Sequence, residues 1–219
     1  MSVNILPDLE GLGLGLNPQN IVDLEQFLFL LERWNRVHNL TAIEGELDSV
    51  ELHLIDSIAV LPIMKKFLKL ESPKIADLGS GGGLPAIPIA ILQPMWQLCL
   101  IEAVRKKTAF LQHVRGKLKL NNIEVVTKRV EIIAKERTGQ FDAVISRAFT
   151  NLANFLELSA PLLKPGGLVF AMKSKRADEE LLEVSKEQWQ LLADEPLQIL
   201  SRPIERRLLV FMPVRKSFI

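Results

Sequence analysis

The first 72 residues show the hydrophobic spacing of helices. Six apolar side chains recur at helical spacing, and they are Ile21, Leu24, Phe27, Leu28, Leu31 and Trp34. Asn17 and Pro18 supply an N-cap and a first helical residue ahead of them. The predicted helices are 17–36, 48–60 and 63–68. Because no Gly/Ser-rich linker follows, residues 1–72 are expected to form an N-terminal helical cap that shares a core with the rest of the chain.

From residue 74 onward, short apolar runs alternate with longer helical patterns. The predicted strands are 74–78, 97–102, 123–127, 141–146, 167–173, 197–201 and 206–213. The predicted helices are 84–92, 104–119, 130–136, 151–163 and 178–192, and a tight Lys-Pro-Gly-Gly turn is predicted at 164–167. Strands that alternate with helices form a parallel sheet covered on both faces.

The last two predicted strands have only a short turn between them, which requires an antiparallel hairpin. Residues 73–219 are therefore predicted to form an α/β domain. Its sheet is expected to be seven-stranded and mostly parallel, with the hairpin at one end. The chain as a whole combines this Rossmann-like domain with the N-terminal helical cap.

A cluster of glycines follows the first predicted strand. The strand ends near Asp77, Gly79 and Gly81 come next, and an apolar helical stretch begins at Leu84. Glycine allows positive φ and lets a ligand approach the main chain closely. The helix that follows offers unpaired N–H groups at its first turn. This arrangement predicts a site for a nucleotide-like ligand.

Three kinds of site contain such a turn. Leu84 stands where a dinucleotide fingerprint requires a third Gly or Ala. Glu102, at the end of the next apolar run, is placed to accept hydrogen bonds from ribose hydroxyls. Asp77-x-Gly79-x-Gly81 followed by this acid resembles the S-adenosylmethionine (SAM) site of class I methyltransferases, which is the favoured interpretation. A dinucleotide site and a plain strand–helix turn stay open as alternatives.

The remaining candidate residues also follow predicted strands, because ligands of open α/β sheets lie beyond the carboxyl ends of the strands. Arg147 comes after the fourth strand and is the predicted catalytic residue, within reach of methyl acceptor and cofactor. Val130 is predicted to lie against the adenine. Glu131 either approaches the adenine edge or caps a helix N-terminus. Ala103 and Val104 complete the predicted cofactor-binding set.

Charge is unevenly distributed along the chain. Residues 1–73 hold 5 Lys or Arg against 11 Asp or Glu, and residues 74–219 hold 22 against 15. Several cations fall on the rim of the expected site, and the predicted RNA-binding residues are Arg105, Lys106, Lys173 and Lys175. Phosphate neutralisation by this rim would give an RNA affinity that falls with salt. Ordinary surface charge is the alternative.

Other classes of function are disfavoured. One Cys and three scattered His make a metal site improbable, and Cys99 is expected to be a buried small hydrophobe. His53 and Asp56 are expected to pair on a helix surface. No apolar run reaches 18 residues and no secretory signal is evident, so we expect a cytoplasmic protein without membrane contact.

A series of short motifs points to one family. In order along the chain they are Trp34-Asn35-x-x-x-Asn39-Leu40-Thr41, His53-x-x-Asp56-Ser57, Asp77-x-Gly79-Ser80-Gly81-x-Gly83-Leu84-Pro85-x-Ile87-Pro88, Lys106-Lys107-x-x-Phe110-Leu111, Arg129-Val130-Glu131 and Ser146-Arg147-Ala148. This series resembles the bacterial 16S ribosomal RNA guanine-N7 methyltransferases, also called glucose-inhibited division protein B. The resemblance runs from about residue 24 to 213. Leu52 and Ala86 depart from the family pattern, which usually has Arg and Gly there.

The resemblance implies a class I fold and SAM-dependent methylation of N7 of one guanine in the 530 loop of 16S rRNA. It also implies cofactor contacts at Gly79, Leu84, Val130, Glu131 and Arg147, with residues 102–104 lining the ribose. The expected partner is 16S rRNA or the small ribosomal subunit, and the expected state is a monomer. A nicotinamide-dependent oxidoreductase, a non-catalytic rRNA-binding assembly factor and a small-molecule methyltransferase remain as alternatives.

Overall fold

A computed structural model describes residues 12–38, 54–147, 149–197 and 206–214 of the chain. Its helices are α1 (Pro18–His38), α2 (Leu61–Phe67), α3 (Ala86–Leu92), α4 (Arg105–Lys117), α5 (Val130–Glu136), α6 (Leu152–Ser159) and α7 (Ala177–Leu182). Its strands are β1 (Lys74–Leu78), β2 (Gln97–Ile101), β3 (Ile123–Val126), β4 (Phe141–Arg147), β5 (Leu163–Lys173), β6 (Trp189–Pro196) and β7 (Arg207–Pro213). Residues 54–58 are helical as well and belong to the helix predicted over 48–60, whose first part lies outside the described residues.

The seven strands form one sheet in the order β3-β2-β1-β4-β5-β7-β6. β1 to β5 are parallel, while β7 runs antiparallel between β5 and β6. The predicted mostly parallel sheet with an antiparallel pair at one end is therefore confirmed. The strand order reverses direction between β1 and β4, and in open α/β sheets this switch point opens the crevice in which ligands bind.

Two apolar clusters cover the two faces of the sheet. One contains Phe27 of α1, Phe110 of α4 and Phe170 of β5, together with α2 and α3. The other contains Phe155 of α6 and Phe211 of β7. The described helices of the N-terminal helical cap, the front-end helices, thus bury their apolar side chains in the same core as the sheet, as the absence of a linker suggested. The division of the chain at residue 72 itself stays a prediction.

The segment after α7 differs from the prediction. The helix predicted over 178–192 ends at Leu182, and β6 occupies Trp189–Pro196 rather than 197–201, of which 198–201 lie outside the described residues. Trp189 is buried with its ring edge-on to Phe211, at 6.5 Å between centroids. Pairing with β7 therefore overrides a local composition that favours a helix, since strand stability depends on cross-strand neighbours.

The Lys-Pro-Gly-Gly segment at 164–167 lies within β5 instead of forming a turn ahead of it. Phe141 pairs with Leu163 and Ala143 with Leu168, so these four residues bulge opposite a single residue of β4. A Cβ on Gly167 would lie 3.0 Å from the Lys164 carbonyl oxygen, which explains the glycine there. The Lys-Pro-Gly-Gly sequence thus predicted an irregular backbone, but it did not predict that the irregularity lies inside the strand.

Asn122 joins α3, β2 and β3. Its buried side-chain amide donates to the carbonyl oxygens of Ala90 at 3.0 Å, Gln93 at 3.3 Å and Trp96 at 3.1 Å. Its own carbonyl oxygen accepts from the Leu98 amide at 2.8 Å, where β2 pairs with β3. Asn122 therefore holds the segment that follows α3 against the starts of β2 and β3.

Replacing Asn122 with Leu, which has a similar volume, should lower the free energy of unfolding by about 1–3 kcal/mol, because buried carbonyl groups would lose their donor. Denaturant titration of the purified protein measures this change. Asn121→Leu is the control, since Asn121 is exposed. Equal stabilities of the two variants would show that the Asn122 amide is not a structural link.

Candidate functional site

The glycine turn after β1 is anchored on the neighbouring strand. The amides of Gly79 and Ser80 both donate to the carbonyl oxygen of Ile101, at 2.9 and 3.2 Å. Gly79 has a φ of +69° and Gly81 a φ of +53°, which are left-handed conformations that side chains with a Cβ rarely adopt. The turn therefore follows a path that only glycine takes easily, at the switch point of the sheet.

Glu102 braces this turn from the end of β2. One carboxylate oxygen accepts from the Gly81 amide at 3.0 Å and the other from the Val104 amide at 2.8 Å. The side chain is buried, with 7% of the residue exposed. Each oxygen retains a further lone pair for a hydroxyl group, because an ionised carboxylate offers about four acceptor positions. Glu102 thus shapes the turn as well as offering acceptors to a ligand.

Asp77 lies beneath the turn and is buried. Its Oδ2 atom has no hydrogen-bond partner among the described residues, while the Ser80 hydroxyl donates to its carbonyl oxygen at 3.0 Å. Burial raises the pKa of Asp77 to about 7, against the lowering effect of Ser80 and of the Arg147 charge. A buried carboxylate oxygen without a donor is costly, and a cationic or donor group of a ligand would relieve that cost.

Phe149 lies over the glycine turn. A Cβ on Gly79 would come within 2.3 Å of a carbon of the Phe149 ring, so the ring packs directly on the backbone there. The ring is partly open to solvent, with 36% of the residue exposed. Sequence analysis missed Phe149. The available signal was an aromatic residue two positions after the Arg147 that ends β4.

Arg147 belongs to a charged cluster that joins three parts of the chain. Its Nη1 atom lies 3.7 Å from Oδ2 of Asp56, and the Nε atom of Arg206 lies 3.5 Å from the same oxygen. Asp56 is only 2% exposed, and its Oδ1 atom has no hydrogen-bond partner in the described residues. Burial raises the pKa of Asp56, and the two guanidinium groups limit the rise.

The Asp56 position corrects one expectation. A helix-surface pair with His53 was predicted, but Asp56 is buried against Arg147 and Arg206, and His53 lies outside the described residues. Burial lowers the pKa of Arg147, while the Asp56 and Asp77 carboxylates oppose that effect. Arg147 is thus a mostly buried arginine held between acids, and not a surface side chain.

The other predicted cofactor residues lie at the same edge with different exposures. Leu84 is 5% exposed and packs into the apolar cluster that contains α1 and α4. Val130 is 6% exposed and begins α5 in the opposite cluster. Glu131 is exposed in the first turn of α5, and Ala103 and Val104 are exposed ahead of α4. The glycine turn follows β1 at the switch point, whereas the start of α5 follows β3 at the edge of the sheet.

The four predicted RNA-binding cations do not share one environment. Arg105, Lys106 and Lys175 are exposed. The Lys173 side chain is only 10% exposed, and its ammonium group donates to Glu180 at 2.7 Å and to the Thr150 carbonyl oxygen at 3.0 Å. Lys173 therefore ties β5 to α7 in this structure and differs from the solvent-exposed cation that the sequence suggested.

Cys99 is buried in β2, and burial raises the pKa of its thiol to about 12. This matches the expectation of a small apolar residue. Within the described ranges, no three His, Cys, Asp or Glu side chains come close enough to hold a metal ion. No helix in the same ranges is both long and apolar enough to cross a bilayer.

The site fits a cationic ligand with a ribose. Asp77 offers a buried oxygen that no described residue pairs with, and Glu102 offers further lone pairs. A Cβ on Gly81 would have one atom within 4 Å, the Gly79 carbonyl oxygen at 3.7 Å, so the space above the turn is open. These features agree with the donors and acceptors of SAM, whose sulfonium and amino groups are positive.

Solved structures share this fold. A putative SAM-dependent methyltransferase from Methanococcus maripaludis aligns with a TM-score of 0.58 at 14% identity, over 86% of this chain and 94% of that one. TYW2 from M. jannaschii, in complex with AdoMet, aligns with a TM-score of 0.53 at 18% identity, over 79% of this chain and 80% of that one. At these identities the likeness shows the class I methyltransferase fold.

Sequence relatives are much closer. A ribosomal RNA small subunit methyltransferase G of Polynucleobacter asymbioticus is 71% identical over 208 residues, which cover 95% of this chain and 94% of the relative. The protein of the same name from Bordetella avium is 39% identical over 201 residues, which cover 91% and 88%. The family described as GidB, rRNA small subunit methyltransferase G, matches residues 20–210. The chain therefore belongs to the rRNA small subunit methyltransferase G family.

Proposed function

We propose that the protein transfers the methyl group of SAM to N7 of one guanine in the 530 loop of 16S rRNA. The observation that carries this proposal is the buried carboxylate oxygen of Asp77, which has no hydrogen-bond partner among the described residues and lies beneath a glycine turn that Glu102 braces. The names of the relatives support ribosomal RNA as the acceptor. The choice of N7 and of the 530 loop rests on the resemblance in sequence motifs.

Asp77 and Glu102 are the residues that we assign to the cofactor charges and hydroxyls. The ionised Asp77 carboxylate would face a positive group of SAM, and the Glu102 oxygens would accept from the ribose. Gly81 leaves the backbone open to close approach, whereas the Phe149 ring packs on Gly79. Leu84, Ala103, Val104, Val130 and Glu131 remain proposed cofactor contacts, with Val130 and Glu131 at the adenine end.

The acceptor chemistry requires no general base. Guanine N7 carries a lone pair and no proton, and bound SAM supplies a methyl group on a sulfonium leaving group. The protein therefore accelerates the reaction mainly by alignment, which can contribute on the order of 7–11 kcal/mol. The base must come from a loop or be splayed out, because A-form RNA keeps N7 in a deep, narrow groove.

Arg147 is the proposed catalytic residue, and Asp56 is its positioning residue. The Asp56 carboxylate lies 3.7 Å from Arg147 and 3.5 Å from Arg206, so it balances two guanidinium charges at the end of β4. Without that balance the two arginines would repel each other in a poorly hydrated site. Arg147 would then leave the position from which it contacts cofactor and base.

Exposed cations beside the site are proposed to bind RNA phosphates. Arg105 and Lys106 begin α4, and Lys175 follows β5. Phosphate contacts of this kind add affinity and salt dependence without selecting a base. We further propose that the protein acts as a monomer in the cytoplasm, where 16S rRNA and the small subunit are found.

The acceptor assignment predicts a single methylated position. Incubation of the protein with SAM and small subunits or 16S rRNA from a strain without the enzyme should give one N7-methylguanine in the 530 loop, mapped by reduction and strand scission. Gly79→Val is the inactive control, because its Cβ would overlap Phe149 and its φ of +69° is unfavourable. Methylation at another position would contradict the proposal. The absence of methylation by a protein that binds SAM would contradict it as well.

The raised pKa of Asp77 predicts a pH dependence of SAM binding. Only the ionised carboxylate attracts a positive ligand, so SAM affinity should increase between about pH 6 and 8, as Asp77, with a pKa of about 7, loses its proton. Calorimetry at pH 6 in two buffers of different ionisation enthalpy should detect proton release. Asp77→Asn should bind SAM more weakly, without this pH dependence and without proton release.

The raised pKa of Asp77 also affects stability, which should fall with rising pH while SAM affinity increases. The folded protein binds the Asp77 proton more tightly than the unfolded chain, whose Asp has a pKa of 3.8. The free energy of unfolding without SAM should therefore fall, relative to Asp77→Asn, as pH rises from about 4 to 7. If the free energies of unfolding of the two proteins change in parallel over this pH range, Asp77 is not held protonated.

The cluster around Asp56 predicts a kinetic defect. Asp56→Asn should lower the methyl-transfer rate at saturating SAM and RNA by on the order of 10- to 100-fold, since small displacements of an aligning group have effects of this size. Asp142→Asn is the matched control, because Asp142 pairs with Lys164 at 2.8 Å at the other end of β4. The control should lose stability and keep its rate. A full rate in Asp56→Asn would refute the positioning role.

A further inference from the structure

A groove separates α1 from α4 on the outer side of the molecule. It has a volume of about 420 Å³, within the size range of small-ligand pockets. Phe29, Arg33 and Trp34 line it from α1, and His113 and Lys117 line it from α4. None of these residues belongs to the glycine turn or to the Asp56 cluster, so the groove lies apart from the site described above.

The groove presents aromatic surface to solvent. Phe29, a large apolar side chain in the middle of a 21-residue helix, is 60% exposed. The Trp34 ring packs against Phe110 at 5.6 Å and against His113 at 5.5 Å between centroids. These contacts fix the Trp34 ring as a wall of the groove, while Phe29 remains available for stacking.

The charge of the groove is positive. Arg33 and Lys117 flank the aromatic residues, and the described residues that line the groove include no Asp or Glu. Residues 103–123, which include all of α4, carry six Lys or Arg and no acid. The cations Arg105 and Lys106 at the start of this helix are those proposed to contact RNA beside the methyl-transfer site.

The helix α4 connects the two places. Twelve residues separate Arg105 from Lys117, which corresponds to about 18 Å along an α-helix. A polyanion held at the start of α4 can therefore follow the same helix to the groove. Exposed aromatic rings between cations are the combination that binds unpaired nucleotides, through base stacking and phosphate contacts.

We propose that the groove is a second RNA-binding site, in which an unpaired base of the substrate rRNA stacks on Phe29 beside Trp34 and its phosphates contact Arg33 and Lys117. This inference rests on the proposed function, because the RNA is the methyl acceptor itself. The acceptor guanine and the stacked base lie in different parts of one RNA. The groove contributes affinity for that RNA and takes no part in methyl transfer.

The test compares groove variants with neighbours on the same helices. Phe29→Ala should weaken binding of naked 16S rRNA by about 5- to 150-fold, the range for loss of one stacked base. Lys117→Gln should reduce the slope of log affinity against log salt by about one. SAM affinity and the rate at saturating RNA should stay at wild-type values in both variants.

Two matched controls lie outside the groove. Val22→Ala removes an apolar side chain that is 53% exposed on α1, and Lys119→Gln removes a cation just beyond α4. Both should bind RNA almost as the wild type does. Phe29→Tyr should retain affinity because it keeps a ring, whereas Phe29→Leu should not, because an apolar chain cannot stack in the same way.

Three results would overturn the inference. Unchanged rRNA affinity in Phe29→Ala and Lys117→Gln would exclude the groove as an RNA site. Normal binding of naked rRNA with weakened binding of assembled subunits would identify a ribosomal protein as the occupant. Full affinity in Phe29→Leu would indicate apolar docking without stacking. If the wild type itself neither binds nor methylates rRNA, the proposed function fails, and that outcome is distinguishable because it needs no variant.

Discussion

The geometry of the site depends on how the end of β2 holds the turn after β1. The Ile101 carbonyl oxygen accepts two amides of the turn, and the Glu102 carboxylate accepts a third. Consecutive residues of one strand thereby fix the backbone of the next loop. Since the two strands are parallel neighbours in the sheet, the sheet itself sets the position of the turn, and no flexible segment intervenes.

Buried charge is concentrated at the same edge of the sheet. Asp77 carries an oxygen without a partner in the part of the chain that the structure describes, and Asp56 lies between two arginines. Both carboxyl groups have a raised pKa because burial penalises their charged forms. Such groups reduce stability in the absence of partners. Groups with perturbed pKa values are common at functional sites. The remainder of the fold, with apolar clusters on both faces of the sheet, provides the stability that this edge lacks.

The sequence predicted what depends on local pattern. The alternation of strands and helices predicted the parallel sheet, and the Asp77-x-Gly79-x-Gly81 motif predicted the glycine turn that follows β1. Sequence analysis did not find Phe149 on Gly79 or the burial of Asp56, because each depends on residues distant in the chain. It also missed the pairing of Lys173 with Glu180, which depends on how the chain turns between β5 and α7. The predicted position of β6 was wrong because the position depends on pairing with a later strand. The local composition around the start of β6 favours a helix, and pairing with β7 overrides that preference.

The Asp56 cluster has a consequence for the modularity of the family. Asp56 comes from the front-end helices, Arg147 from the centre of the sheet and Arg206 from the segment that enters β7. Front-end helices grafted from another methyltransferase would have to bring an acid to the same point, or they would leave two guanidinium groups facing each other. The helical front end and the sheet are therefore energetically coupled through this carboxylate, although they look like separable parts of the chain.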